Sequence, residues 1–406
     1  MFKKLSLLLL VFFQIGLSAQ STPAPGANTP EANLIQMLSS IGPNQWKDVE
    51  FQLVTVSPSP TVTTAFGHSA LRVLYGKPFE SQDFYLDFGE YDESASFVWR
   101  FLKGEAKFFI KIRTMADAYT FWDRTGRGMV ASQFILTLEQ KQKFAKEILD
   151  IIEKKREGYE YDNFEANCVT FIRDILGNVY GKPLQLETEK NKSTWRSRLL
   201  PYAAKVFWLR FCEKLLLDHD TDMVRNPKDL IYLPYDLLIA AEDGKLVKDK
   251  ELLHRDFWKL PESADVLGFV TFAIFIFLVA SQIPGYLKQR FSSVGRKLFG
   301  IISVFCGTFT LIVILFTSFP FMNDTIMFLV FTPVDYLLFL KGKITSRSYQ
   351  YFLYGRLTML GLALLLRLTV LPQSIDAALF FTVLFFVLSY INFRKERTEE
   401  LTETNA

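Results

Sequence analysis

Asn167 and Cys168 head an amphipathic run, NCVTFIRDILG, in which Ile172 and Ile175 share a face with the cysteine. Asn caps helices well and Gly177 suits a left-handed closing position, so the spacing predicts a helix with Cys168 in its first turn. A thiol placed there faces unpaired backbone N–H groups and the positive end of the helix dipole. Both favour the thiolate, the form that acts as a nucleophile. The shared face aims the sulfur at whatever sheet the helix covers, where a base would complete a reacting pair. Only three histidines are available. His68, in FGHSALRVLY, follows Gly67, which lets the backbone approach closely, and opens an alternating strand-like run. His219 falls in a polar turn and reads as a solvated group, and His254 reads as marking a membrane interface. A third group is needed to hold the imidazole in the right tautomer. Asp87 is the choice, because an acid amid Tyr85, Leu86 and Phe88 on an inner strand is costly unless paired. Asn167, Arg127 and Arg196 are candidates for substrate or oxyanion positioning.

Each assignment has a blander rival. The chain has three cysteines, and Cys168 with Cys212 would ordinarily read as one disulfide in an oxidising compartment. Cys212, in VFWLRFCEKLLL, otherwise reads as a small buried hydrophobe on a helix. A lone strand histidine is more often structural, and Asp87 at a strand edge would face solvent. Arg124, Arg127, Arg196 and Arg198 either hold a lipid phosphate or lie on solvated faces, the second being preferred. There is no HExxH, CxxC or clustered ligand pattern, no glycine-rich phosphate loop and no GxSxG elbow, so no metal and no cofactor are expected.

The elements that must position these groups split the chain. Residues 1–19, with Lys3 and Lys4 before an apolar run, read as a secretory signal, and the Pro- and Thr-rich residues 20–31 as a linker. Residues 32–260 hold the soluble chemistry, as an extracytoplasmic domain. VEFQLVTVS, SALRVLYG and DFYLDFGEY alternate like antiparallel strands, whereas LEQKQKFAKEILDIIEKKR, NCVTFIRDILG and KVFWLRFCEKLLLDH carry helical spacing. The expected class is α+β. Residues 261–393 then shift to long apolar runs, at about 266–283, 298–319, 325–340, 351–371 and 377–393, the first two without formal charge. Lys and Arg concentrate after the first, third and fifth runs, while the loops SFPFMND and PQSID carry none. About five spans with a cytoplasmic tail at 394–406 follow, and the preceding domain falls outside, in agreement with the signal. Asp335 is expected to pair with Arg356 on the next span. The net charge of +3 reflects this topology and gives no sign of nucleic-acid binding.

A histidine on a strand, a polar residue on the next strand and then a cysteine opening a helix is similar to the circularly permuted arrangement of the papain-like superfamily, which includes NlpC/P60 and lecithin-retinol acyltransferase-like proteins. FGHSALRV, FYLDFGEYD, FLKGEAKFF, RTGRGMVASQFILT, YDNFEANCVTFIRDIL, STWRSRLLPY and DLIYLPYDLL resemble successive motifs of the lipoprotein N-acyltransferase family with an N-terminal periplasmic domain, the Lnb type. The likeness runs from about Val49 to about Ala241. Phe171 departs from it, where the family's motif is expected to carry a basic residue. The resemblance implies a permuted papain-like domain in the periplasm, on a multi-pass protein of the bacterial inner membrane. It implies transfer of an acyl chain from a membrane phospholipid to the α-amino group of a diacylglyceryl-cysteine on a lipoprotein. Cys168 would be the nucleophile and His68 the proton carrier. Two other classes stay open: a membrane-anchored cysteine amidase or peptidase acting on cell-wall peptide, and a non-catalytic scaffold with Cys168 bridged to Cys212.

Overall fold

The computed structural model describes residues 29–61, 64–92, 94, 96–186, 193–254, 266–283 and 289–404. The expected signal segment, and the expected linker up to residue 28, lie outside the described residues. The linker gives way early, because α1 (Pro30–Ser40) already starts at Pro30 under a Thr29 cap.

A seven-stranded sheet follows, in the order β6-β4-β3-β2-β1-β5-β7, with every ladder antiparallel. The strands are β1 (Val49–Val56), β2 (His68–Tyr75), β3 (Asp83–Tyr91), β4 (Lys107–Thr114), β5 (Met129–Phe134), β6 (Tyr159–Glu160) and β7 (Val247–His254). Between them lie α2 (Phe97–Lys103), α3 (Met115–Thr125), α4 (Leu138–Lys154), α5 (Cys168–Tyr180), α6 (Trp195–Leu199), α7 (Phe207–Leu216) and α8 (Pro234–Asp243). Period-two alternation sorts the side chains onto two faces. Phe51, Leu53, Leu71, Val73, Phe84, Leu86 and Phe88 form the main core with α4, α5 and α8. Val54, Val56, Ala70 and Tyr85 turn the other way and meet Met115, Ala118 and Trp122 of α3. The fold is α+β, as the sequence predicts.

The second face also buries an ion pair. Arg72 Nε and Nη2 donate to Asp83 at 2.8 and 2.6 Å, and Nη1 reaches Gln52 Oε1 at 3.1 Å. Asp83 is fully buried and also accepts from the Phe79 amide at 2.7 Å, so this carboxylate ties β1, β2 and the turn into β3 together.

Beyond the sheet come α9 (Val266–Ala280), α10 (Gln289–Phe316), the short α11 (Pro320–Asn323) and α12 (Met327–Val330), α13 (Ser346–Thr369) and α14 (Asp376–Thr404). Four helical stretches among the described residues are long and apolar enough to cross a membrane: Phe291–Phe316, Pro320–Leu340, Ser346–Thr369 and Asp376–Glu399. The first of the five expected spans is shorter than expected: α9 has 15 residues, against roughly 20 needed to cross a hydrocarbon core. It stops where Ser281 and Gln282 turn inward, with Gln282 Nε2 donating to the Ser292 carbonyl at 3.1 Å. The stretch from Pro320 to Leu340 is broken at Asp324 and Phe331 and ends as a 3-10 helix, Pro333–Leu340. Arg356 takes up the freed carbonyls: its guanidinium donates to Leu329 O at 2.9 Å, Val330 O at 2.8 Å and Asp335 Oδ1 at 2.6 Å. Asp335 therefore has a structural role.

The two loops without Lys or Arg are the ones that dock on the sheet domain. Ser318 N–H donates to Lys103 O at 2.9 Å, Asp218 N–H to Phe321 O at 2.9 Å, and Gln373 Nε2 to Leu217 O at 2.7 Å. At the opposite ends of the helices, Lys341 pairs with Glu396 at 2.6 Å.

Asp83→Asn should destabilise the protein by about 3–5 kcal/mol, because it removes the close partner of a buried Arg72 and leaves its charge only the exposed Glu251 at 3.8 Å. Denaturant unfolding of the full chain in detergent, followed by tryptophan fluorescence, checks this. A loss below about 1 kcal/mol would show that the pair contributes little.

Candidate active site

Cys168 is the first residue of α5 and is half-buried, packed against the main core. Asn167 makes the helix start there. Its Oδ1 accepts from the Val169 and Thr170 amides at 2.8 and 3.0 Å, and its own amide donates to Thr170 Oγ1 at 2.9 Å. Its Nδ2 donates to the carbonyls of Asn163 and Tyr232, at 2.7 and 3.2 Å. Asn167 therefore positions the helix that carries the thiol, and its side-chain oxygen and nitrogen are both engaged. The cap also narrows the oxyanion donors. Of the first amides of α5, those of Val169 and Thr170 are taken, and the Cys168 amide donates to no acceptor among the described residues. The helix closes later than expected: Gly177 stays helical, Val179 is buried, and Gly181 at φ 71° supplies the left-handed cap.

His68 opens β2 and comes to the thiol across the end of the sheet. Gly67 sits at φ 84°, where a Cβ would lie 2.8 Å from the Val56 carbonyl, so the turn into the strand requires glycine. His68 Nε2 lies 2.9 Å from Asp87 Oδ1, close enough for a strong ion pair, though off the line of a well-formed hydrogen bond. Burial pushes the imidazole down, but the Asp87 carboxylate and the Cys168 sulfur, by charge and by side-chain hydrogen bonding, raise it from 6.5 to about 10. For Asp87, burial pushes upward, yet His68, Arg113 and the Gly89 amide together hold it below the usual carboxylate range. The Gly89 amide donates to Oδ1 at 2.8 Å, and Arg113 Nη1 stands 3.5 Å from Oδ2. The shifts of the two partners agree: Asp87 ionised, His68 protonated.

Gly89 is the residue that sequence reasoning missed. A Cβ there would stand 2.8 Å from His68 Cε1 and 3.3 Å from Asp87 Oδ1, so the imidazole occupies the space a side chain would fill. The β3–β4 register slips between Asp87 and Glu90, at the same place. The signal was an isolated glycine inside the strand run DFGEY, which marks a bulge or a close approach.

The arginines are not solvated as a group. Arg124 is exposed, and Arg198 pairs with Asp236. Arg196 is buried, with Nε on Asp222 at 2.9 Å and its other nitrogens on the carbonyls of Glu213, Leu217 and Asp218. It joins α6 to the turn after α7 and presents nothing to a substrate, so the expected positioning role is corrected to a structural one. Arg127 differs. It is 4 % exposed, its Nε donates to Ser57 O at 2.7 Å, its guanidinium lies 4.7 Å from the Trp122 ring centroid, and its buried Nη2 has no hydrogen-bond partner. Burial lowers it to about 10 while Tyr85, Cys168 and Asp87 pull it upward, which places it in the electrostatic field of the same site. Trp122 links the two groups, with its ring 5.5 Å from His68.

Phe171, the departure from the expected motif, stacks on Phe88 and meets Tyr159 edge-on, at 6.0 and 4.7 Å between centroids. Lys155 stands 5.8 Å over its ring, so a basic residue does reach this spot, from another helix. Cys168 and Cys212 are both free thiols, the second packed against the membrane helices. His254 ends β7, paired in the sheet and 3.0 Å from Asp123. His219 is half-buried in a 3-10 turn. No group of three or more His, Cys, Asp or Glu able to hold a metal occurs among the described residues.

Residues 43–200 match the family described as the Lnb N-terminal periplasmic domain. No curated protein and no solved structure matches the chain. The matched span runs through β1 to α6 and contains His68, Asp87, Arg127 and Cys168, so this part of the chain is an Lnb-type domain. With the apolar helices that follow, it defines a membrane protein with a periplasmic N-terminal domain.

Two outcomes are expected from this geometry. Gly89→Ala should leave the fold intact, since its φ is not left-handed, yet displace His68 and slow Cys168 alkylation by iodoacetamide at pH 7 about tenfold or more. An unchanged rate would mean that the imidazole does not activate the thiol. The His68–Asp87 pair should stabilise the fold most between about pH 4 and 6.5. Its contribution is lost as pH rises from 6.5 through about 10, where His68 deprotonates, and as pH falls through the lowered Asp87 value. The difference in Tm between wild type and Asp87→Asn should be widest near pH 5 and shrink by pH 10; a pH-independent difference would contradict the ion pair.

Proposed function

We propose that the protein is a lipoprotein N-acyltransferase of the inner membrane, with a permuted papain-like catalytic domain in the periplasm, a multi-pass helical region and a cytoplasmic C-terminus. The observation that carries this reading is a thiol at a helix start, beside a charged imidazole–carboxylate pair, in a domain docked on the loops between apolar helices. Two-step acyl transfer needs a nucleophile that can hold the acyl group and a base that moves one proton each way. A bilayer surface holds both lipid substrates at the height of the thiol.

In the first step the Cys168 sulfur attacks the ester carbonyl of a phospholipid. The C–S bond forms, the C–O bond breaks, and His68 gives its proton to the departing lysophospholipid oxygen. The Cys168 amide faces the developing oxyanion, and Arg127 Nη2 is the cation available to it or to the donor phosphate. In the second step the α-amino group of a diacylglyceryl-cysteine attacks the thioester. The C–N bond forms, the C–S bond breaks, and His68 takes the amine proton. Asp87 holds the imidazole throughout. The overall exchange is neutral and requires no cofactor.

Full-length protein in vesicles with radiolabelled phosphatidylethanolamine should acquire a hydroxylamine-sensitive label that Cys168→Ser abolishes, and a diacylglyceryl lipopeptide should discharge it into an amide. His68→Ala should lower the labelling rate by about 10²-fold or more. Labelling that persists in Cys168→Ser, or a label that the lipopeptide never removes, would overturn the reading.

A further inference from the structure

Apart from the main core, a small aromatic cluster of Phe108, Tyr159 and Ala106 touches the segment around Cys168 through Ala166, Tyr161 and Phe171. Burial comes first in raising the Tyr161 hydroxyl above its usual range, and the Cys168 sulfur next, so the two lie within electrostatic reach. From Tyr161 the rings run outward to the membrane helices. Tyr161 stacks on Phe108 at 4.2 Å and meets Phe101 at 5.8 Å, and Phe101 meets Phe319 at 6.0 Å. Two residues before Phe101, on another side of the same short helix, Trp99 packs on Phe316, the last residue of α10, at 5.7 Å; these two are 46 and 52 % exposed. Phe97, Phe101 and Tyr161 are only half-buried. The rings run from the end of a helix long enough to cross a membrane to the segment that leads into Cys168, several of them partly exposed along the way. Their inner wall is anchored to that helix's loop, where Ser318 binds the Lys103 carbonyl through both N–H and Oγ, at 2.9 and 2.7 Å.

We propose that this line of rings is an acyl-chain site: one hydrocarbon tail of a bilayer glycerophospholipid passes over the exposed faces of Trp99 and Phe316 and lies along Phe101 and Tyr161, bringing its ester to Cys168. The occupant follows from continuity with the apolar helices, because a tail that leaves the bilayer along aromatic surface never crosses water and keeps its CH₂ groups buried. A free amide or peptide substrate would gain little from a wall made mostly of aromatic rings. The proposal rests on the acyl-transfer reading for the identity of the reacting ester, and it deepens that reading by assigning α2 as the donor's entrance.

The test uses full-length Cys168→Ala protein, which binds without reacting, in phosphatidylethanolamine–phosphatidylglycerol vesicles. These carry trace phosphatidylethanolamine with a diazirine near the end of one tail. Irradiation should label the peptides holding residues 97–103 and 159–161. Phe101→Glu should lower that labelling at least fivefold while leaving the outward face of α10 labelled as before, and Trp99→Ala, an exposed position that does not threaten folding, should lower it in the same direction. Labelling confined to the outward faces of the apolar helices, or cluster labelling indifferent to both substitutions, would overturn the proposal. The two readings fail separately. A Cys168 acyl adduct in wild type without cluster labelling removes the acyl-chain site and leaves acyl transfer standing. Cluster labelling without any adduct keeps a lipid-tail site and removes acyl transfer.

Discussion

The candidate site depends on room for one imidazole. His68 is held at the end of β2 by a left-handed Gly67, and the next strand gives way to it: Gly89 has no side chain, and the ladder slips between Asp87 and Glu90. The slip aims the Asp87 carboxylate and the Gly89 amide at one another, so the backbone that makes space also holds the acid that charges the ring. Everything downstream adapts to this fixed point. Trp122 packs beside the ring, Arg113 balances the acid's second oxygen, and α5 brings the sulfur across the sheet's end.

A second constraint joins the sheet domain to the apolar helices. The contacts are hydrogen bonds between backbone carbonyls on one side and Ser318, Gln373 and the Asp218 amide on the other, reinforced by Phe319 and Phe321 entering the main core. Such a joint buries apolar surface while pairing the polar groups that border it, which avoids the cost of leaving them unsatisfied. Within the helices, a broken stretch is tolerated because Arg356 supplies the donors that the backbone lost.

Much of this was legible in the sequence because the relevant signals are local. Period-two runs gave β1, β2 and β3, and three-and-four spacing gave α4, α5 and α7, each set by which face a side chain must bury. His68, Asp87 and Cys168 could be named because each is rare or costly in its setting. What stayed hidden was non-local. β7 carries Lys248, Lys250, Glu251 and His254, a charged edge-strand pattern that disguises a paired strand. Arg127 and Arg196 are the same residue type, yet one ends with an unpartnered nitrogen near the thiol and the other with all three side-chain nitrogens engaged; only packing decides that. Gly89 was visible as a glycine in a strand, but its neighbour, the imidazole twenty-one positions earlier, was not.

The cap at Asn167 has an evolutionary consequence. One side chain starts the helix that presents the thiol and also binds the carbonyl of Tyr232, a residue that meets Phe164 edge-on. Selection at that position therefore sees folding and reactivity as a single trait. A substitution at Asn167 would disturb the fold and the setting of the thiol together.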